Sequence, residues 1–347
     1  MKRIFVPRLG RHVVIGACKL PSPHRPRIRL SSYIDKATIP TAPASCDYTT
    51  PAMPVIQNVE GNDSVGDCVE AEEAHFISVV TGNANSLFTY TPAMTLAMYS
   101  ALTGYVPGNP ATDQGTDPIA CLNYFTQKPY ADGSINAGYA EVDATNQAEV
   151  EFAISAFGNL KMWVGLPDPW INPFPSSNGF VWDVAPVDQN NGHCIGSPGY
   201  NSPKIVGSNS QGVQVMTWGL IGTVTWPALA AAFSDAAGGG LAVRVTTDWV
   251  IKNSGKTPSG FAYSDLCSDF NALFGKNIPV PAPAPSPVPT PTPAAGVTLA
   301  QAQEWGTYLI NRGRPLLTKQ TAVNLVLTGL ASSWPSATKT AAKKKRQ

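Results

Sequence analysis

Charge is scarce in this chain. Asp, Glu, Lys and Arg make up 14% of its 347 residues, against roughly a quarter in ordinary globular domains. The formal net charge is +1, so overall charge steers no partner. Long hydrophobic runs are also missing. Nothing approaches the roughly 18 consecutive apolar residues of a membrane helix, which excludes insertion by that route. The six cysteines (Cys18, Cys46, Cys68, Cys121, Cys194 and Cys267) include no C-x-x-C pair and no metal-ligand spacing. That excludes a zinc-finger site and, in a chain this long, argues against a disulfide framework and for a reducing compartment. No phosphate-cradling glycine loop occurs, and no cofactor or metal is expected. Val14–Cys18 has the look of a lipoprotein cleavage box, but Pro7, Arg8, Arg11 and His12 break the apolar segment that should precede it.

Proline and glycine, by contrast, are abundant at 32 and 30 residues, pointing to many loops and a linker. Residues 1–54 read as a basic, Pro-rich, weakly periodic arm, and residues 55–276 as the main domain. Residues 277–296 form a Pro/Ala-rich linker, 297–337 a small two-helix appendix, and 338–347 a basic tail. The basic ends are either solvated tails or contacts for a polyanion. Within the main domain, helices are expected from Cys68 to about Val80, from Thr91 to Leu102, from the Asp113–Pro118 segment through Phe125, and from Ala148 to Phe157. Strands are expected at Leu160–Leu166, Cys194–Ser197, Lys204–Gly207, Val213–Thr217 and Leu241–Thr246. Helices first and strands later imply an α+β fold with two lobes meeting at a cleft.

The chemistry centres on Asn62-Asp63-Ser64-Val65-Gly66-Asp67-Cys68. A cysteine opening a helix sits where free N–H groups and the positive dipole end favour a thiolate. A nucleophile needs a base, and His193, heading a strand in Gly192-His193-Cys194, is the candidate. His75 lies two turns along the Cys68 helix and reads as a core histidine. Cys194 should face away from His193 by strand alternation. The tryptophans Trp163, Trp170, Trp182, Trp218 and Trp226 read as core and cleft wall, with sugar stacking as a lesser alternative.

These pieces resemble the papain-like cysteine peptidase fold, with a helical lobe followed by an antiparallel β lobe. They are most similar to a phage and bacterial branch carrying N-D-x-x-G-D-C, L-T-G-Y before T-D-x-G, G-H-C and T-W-G, here at Asn62–Cys68, Leu102–Tyr105 with Thr112–Gly115, Gly192–Cys194 and Thr217–Gly219. The resemblance implies Cys68 as nucleophile, His193 as its partner and Asn62 as oxyanion-hole donor, with Gln57 the alternative donor. It implies a cleft loop at Asp113, Gln114 and Gly115, with Trp218 beside the site. The family's orienting Asn is replaced by Met216. Thr217 or Asn209 then takes its role, or the site runs on a dyad, or it has decayed. The implied function is a cysteine hydrolase, as a peptidase on peptides or proteins or as a peptidoglycan amidase. The alternative is a catalytically decayed binding or virion-associated structural protein. The expected location is the bacterial host cytoplasm or a virion.

Overall fold

The computed structural model describes residues 1–22, 25, 27–32, 41–202 and 211–246. The chain divides into two compact units, Met1–Ala284 and Pro285–Gln347, and all described residues belong to the first. The expected strand at Lys204–Gly207, Asn209, Cys267, the linker, the two-helix appendix and the basic tail lie outside the described residues.

The N-terminal arm carries a hairpin that the sequence reading did not include. β1 (Lys2–Val6) and β2 (Arg11–Ile15) pair antiparallel across a turn closed by Gly10 at φ +64°. Val13, Val14, Ile15, Ala17 and Cys18 are buried in the main core. Among the described residues, the arm thus contributes these side chains to the core. Its cations are largely committed to internal partners. Arg25 pairs with Glu141 at 2.8 Å, Arg27 with Asp235 at 2.6 Å, and Arg29 with the same Asp235. Lys2 donates to Asn191 Oδ1 at 3.0 Å.

The helices follow their sequence signals. After β3 (Cys46–Asp47) and the single turn α1 (Met53–Ile56) comes α2 (Cys68–Asn83). α3 (Pro92–Thr103) starts as Thr91 and Pro92 predict, the Thr91 side chain accepting from Met94 N at 3.3 Å. α4 (Pro118–Phe125) is capped by Asp117, which accepts from Ile119 N at 2.7 Å. α5 (Gln147–Phe157) precedes β5 (Leu160–Gly165). α2 is the exception in character. It is buried on every face, carrying Glu70, Glu72 and Glu73 into the interior.

The remaining elements are β4 (Asn136–Val142), α6 (Asp168–Ile171), β6 (Phe180–Trp182), β7 (Gly192–Tyr200), β8 (Gly212–Thr217), β9 (Leu220–Thr225), α7 (Trp226–Ala232) and β10 (Gly240–Thr246). The sheet runs β4-β10-β5-β7-β8-β9-β6, with β3 taking the end of β7 that β5 does not reach. Among the described residues every strand pair is antiparallel except β6 with β9, a parallel edge that the expected antiparallel lobe did not include. The fold is α+β. α2 packs chiefly against β7, which brings the N-terminus of a helix to the head of a strand.

Candidate active site

Cys68 is the first residue of α2, and His193 is the second of β7. Both line one small cavity of about 10 Å³, together with Asn62, His75, Cys194, Met216, Thr217 and Trp218. The pairing read from sequence is thus brought together in space.

The hairpin between β8 and β9 sets the histidine. Thr217 pairs with Leu220 across the two-residue turn Trp218-Gly219, and both turn residues have positive φ, +49° and +75°. That is the mirror-image turn whose twist matches the strands, and glycine suits its second position. A Cβ on Gly219 would also meet Gln57 O at 2.4 Å. The turn lays the Trp218 indole on the His193 ring, centroids 4.3 Å apart and 14° from parallel. Thr217 Oγ1 and His193 Nε2 share a hydrogen bond of 2.8 Å. His193 Nδ1 is buried without a hydrogen-bond partner. If Nε2 carries the proton and donates to Thr217, Nδ1 keeps a free lone pair, the arrangement a general base needs. The residue that reaches the ring is therefore Thr217, one place after the expected orienter. Met216 instead lies over β7, its Cε near Gly196, and packs with Ile56, Val79 and Ile221.

The oxyanion candidate Asn62 is buried in the cavity wall, its Nδ2 donating to Val65 O at 3.3 Å. Gln57 is exposed and does not line the cavity. Of the cleft loop, Asp113 ties the approach to Cys68, accepting from Gly66 N at 3.1 Å and from Tyr99 OH at 2.7 Å. Gln114 is exposed, and Gly115 faces the arm. None of the three lines the Cys68 cavity. His75 is a satisfied core histidine on the cavity's far wall, its Nε2 bonded to Asn58 O at 3.1 Å.

One electrostatic expectation is reversed. The helix terminus was expected to favour the Cys68 thiolate. Instead burial, then the neighbouring Cys194 thiol, push the Cys68 pKa well above the usual thiol value. Burial also lowers His193 to about 3. Desolvation of a fully enclosed charge outweighs a helix-end dipole. Both groups are neutral in this conformation.

The arm accounts for the enclosure. Cys68 and His193 are each 1% exposed. Val14 N donates to Asn62 O at 3.0 Å, Cys18 N to Gly192 O at 3.1 Å, and the Arg11 guanidinium to Trp218 O. Two of these acceptors belong to cavity-wall residues and the third adjoins His193. On the other side, Thr116 N donates to Ala17 O at 3.1 Å and Lys19 N to Thr116 O at 2.9 Å. β2 (Arg11–Ile15) and the segment that follows it to Lys19, which turns at Gly16 (φ +76°), thus bond to residues of both the helical part and the sheet. The sequence offered no periodicity to reveal this.

Buried acids behind the arm carry a pH signature. Glu70 accepts from Thr116 Oγ1 at 2.7 Å. Burial pushes its pKa up to about 7 from 4.5, against the pull of the Thr116 bond. Its contribution to stability is full below about pH 4.5 and is lost as pH rises through about 7. His193 and His75, lowered by burial to about 3 and about 4, have the opposite sign: their contribution is full above pH 6.5 and fades as pH falls. Glu70→Gln, which keeps an acceptor for Thr116, should therefore raise the urea midpoint over wild type at pH 8, and the gain should shrink towards pH 5. A pH-independent difference would contradict the assignment.

No family model matches this chain, and no curated protein matches it. Solved structures do. It is similar to xylellain, described as a cysteine protease from Xylella fastidiosa, at 11% identity over 67% of this chain and 97% of that one, with a TM-score of 0.49. It is also similar to a digestive procathepsin L 3 of Tenebrio molitor larval midgut (12% identity, 66% and 76% coverage, TM-score 0.44). A third is a procathepsin B from Trypanosoma congolense (11% identity, 64% and 83% coverage, TM-score 0.44). Among the described residues, no helix is long and apolar enough to cross a membrane.

Proposed function

We propose that this chain is a papain-like cysteine hydrolase, acting on peptide bonds, whose site is closed by its own N-terminal arm. The observation that carries this reading is the shared cavity of Cys68 and His193, with Thr217 on one ring nitrogen and the other unpartnered. With the arm displaced, Cys68 regains water and the benefit of the helix terminus, and the thiolate becomes accessible. Cys68 gives its thiol proton to His193 Nδ1, its sulfur attacks the amide carbonyl carbon, and the C–N bond breaks as His193 passes that proton to the leaving amine. The Cys68 N–H and the Asn62 amide stabilise the oxyanion. Water, activated by His193, then hydrolyses the thioester and restores the thiol.

Labelling by iodoacetamide of the Gly115→Ala chain, whose added Cβ would meet Ala17 O and displace the arm, tests this. Cys68 should label at least tenfold faster than a free thiol below pH 7, and His193→Ala should abolish the advantage. Thr217→Val should cut Cys68-dependent cleavage of a casein-derived peptide by about ten- to a hundredfold, with Thr217→Ser recovering most of it. Labelling no faster than free thiol, with cleavage indifferent to Cys68→Ala, would remove the hydrolase reading.

A second reading, a binding or structural protein with a decayed site, is favoured by one observation: the nucleophile is enclosed by segments that belong to the core, Val13 and Ile15 being fully buried. In that case the arm does not leave, and Cys68→Ser changes nothing measurable. The amidase alternative is separated from a peptidase by activity on peptidoglycan against casein. A cytoplasmic or virion location belongs to the same proposal.

A further inference from the structure

Three thiols gather where the arm crosses the candidate site. Cys18 on the arm is 5% exposed, Cys68 is 1% and Cys194 is 3%, and none is in a disulfide. Cys18 N donates to Gly192 O at 3.1 Å. A Cβ on Gly192 would lie 2.1 Å from Cys18 O and 3.7 Å from Cys18 Cα. One residue earlier, a Cβ on Gly66 would lie 2.9 Å from the Ala17 Cβ. Gly66 stands two residues before Cys68, and Gly192 two before Cys194. Cys18 is thus wedged between the loop that leads into α2 and the head of β7, and Cys68 and Cys194 line one cavity there. Burial raises the Cys18 pKa, and Cys194 and Cys68 raise it further, an interaction that weakens with distance.

The two neighbours of Cys68 differ in their freedom to reach it. Cys194 lies inside β7, opposite Trp163 of β5 in an antiparallel ladder, and shifts only by breaking that ladder. Cys18 follows the turn at Gly16 and is held by an isolated bridge to Thr116 and the bond to Gly192. A disulfide tolerates only a narrow range of sulfur torsions and Cα separations up to about 7 Å. The partner able to adjust to that demand is the one on the arm. Enclosed thiols of raised pKa are inert, so oxidation has to begin while the arm is away.

We propose that Cys18 and Cys68 form a reversible disulfide that latches the arm over the nucleophile under oxidising conditions. The oxidant is a low-molecular-weight disulfide such as oxidised glutathione. With the arm away, Cys68 loses its proton and its sulfur attacks one sulfur of the oxidant. A mixed disulfide forms and a first thiolate leaves. The arm returns, Cys18 loses its proton, and its sulfur attacks the Cys68 sulfur. The bond to the second half of the oxidant breaks and a second thiolate leaves. The two protons pass through solvent to the two thiolates. Two protein thiols are oxidised, and one small disulfide is reduced to two thiols. As a control on hydrolysis the latch rests on the hydrolase reading; the cross-link itself does not.

The test treats the full-length chain with oxidised glutathione at pH 8, quenches it in acid and maps the unreduced peptides by mass spectrometry. Cys18 and Cys68 should appear in one linked peptide that dithiothreitol releases. Iodoacetamide labelling of Cys68 should fall at least tenfold on oxidation and return with dithiothreitol. Cys18→Ala should instead keep glutathione on Cys68, while Cys194→Ala should leave the Cys18–Cys68 link intact; thermal melts verify that both are folded. Where a variant fails to fold, the wild-type map decides by itself. Gly115→Ala, with its arm displaced, should form the link at least tenfold more slowly although its Cys68 takes up glutathione faster. Glutathione persisting on wild-type Cys68, a link from Cys68 to any other cysteine, or a Cys68 left unmodified would each overturn the proposal. Failure of the hydrolase reading looks different: reduced Gly115→Ala then shows no labelling advantage that depends on His193, while the wild-type chain still forms the link and Cys18→Ala does not.

Discussion

Gly115→Ala should unseat the arm and expose Cys68. Gly115 sits at φ +70°, and a Cβ built on it would lie 1.8 Å from Ala17 O and 2.7 Å from Ala17 C. Those are main-chain atoms in the ladder to Thr116, so no side chain can swing aside to relieve the contact. Either the cleft loop or the arm must move, and the loop is held by the Tyr99 hydroxyl, to which Gly115 N donates at 2.8 Å. The arm is the element expected to yield. Iodoacetamide labelling of Cys68 should rise at least tenfold, and limited proteolysis should begin to cut before residue 20. Gly133→Ala is the matched control: its φ of +86° carries the same backbone strain, but nothing lies within 4 Å of the added methyl. Left-handed backbone at a non-glycine residue costs roughly 1–2 kcal/mol, so both variants should lose similar stability from strain alone, while only Gly115→Ala gains labelling. Equal labelling in the two variants would mean that the arm is not what protects the thiol.

The sequence revealed the parts of this site that are local and hid those made by distant contacts. Cys68 announces itself because a polar turn segment, Asn62–Asp67, precedes a helical pattern. Trp218-Gly219 was placed beside the site only by the resemblance, and its turn needs the positive φ that Gly219 supplies. The helix starts at Thr91-Pro92 and Asp117-Pro118 are legible because caps act within one turn. β4 was missed because all seven of its residues are buried, and a strand covered on both faces loses the alternation that marks one. β1 and β2 were missed because polar residues intervene among Ile4, Val6, Val13 and Ile15, whose burial depends on partners far along the chain. The expected low pKa at Cys68 failed for a related reason. A helix terminus can be read from neighbouring residues, whereas burial by an arm joined through Gly192 and Thr116 cannot. Thr217 was left level with Asn209; the hydrogen bond between Thr217 Oγ1 and His193 Nε2 puts Thr217 at the ring, and Asn209 lies outside the described residues.

The glutamates of α2 show how much of this interior depends on charge compensation, and they set the largest stability effect expected here. Lys161 Nζ donates to Glu72 Oε2 and Glu73 Oε1, both at 2.9 Å, and to Val69 O at 3.1 Å. Arg244 forks onto Glu72 at 2.7 and 2.6 Å and reaches Glu73 at 2.8 Å. Its guanidinium also lies 3.8 Å over the Phe76 ring. Tyr130 OH donates to Glu73 at 2.8 Å, and Asn159 Nδ2 to Glu72 at 3.0 Å. Two cations face two carboxylates with side-chain exposures of 0–1%. Burial would raise the pKa of Glu73, yet Arg244 and Lys161 outweigh it and hold the group down at about 2. Lys161→Met would leave two enclosed carboxylates on a single guanidinium. Removing one partner of a buried ion pair costs about 3–5 kcal/mol, mostly through the charge left behind. Urea unfolding at pH 7 should show a loss of that size. Lys161→Met with Glu73→Gln removes one charge of each sign and should recover at least half of it, an outcome that packing alone does not produce. A single-variant loss under about 1 kcal/mol would show that water or protonation replaces the lost cation. Glu72 also lines the cavity beside Cys68, so the same network seats the nucleophile's helix against the strand that carries His193. A loosened α2 in Lys161→Met should therefore slow the labelling of Cys68 in the arm-opened chain even at temperatures where the variant remains folded.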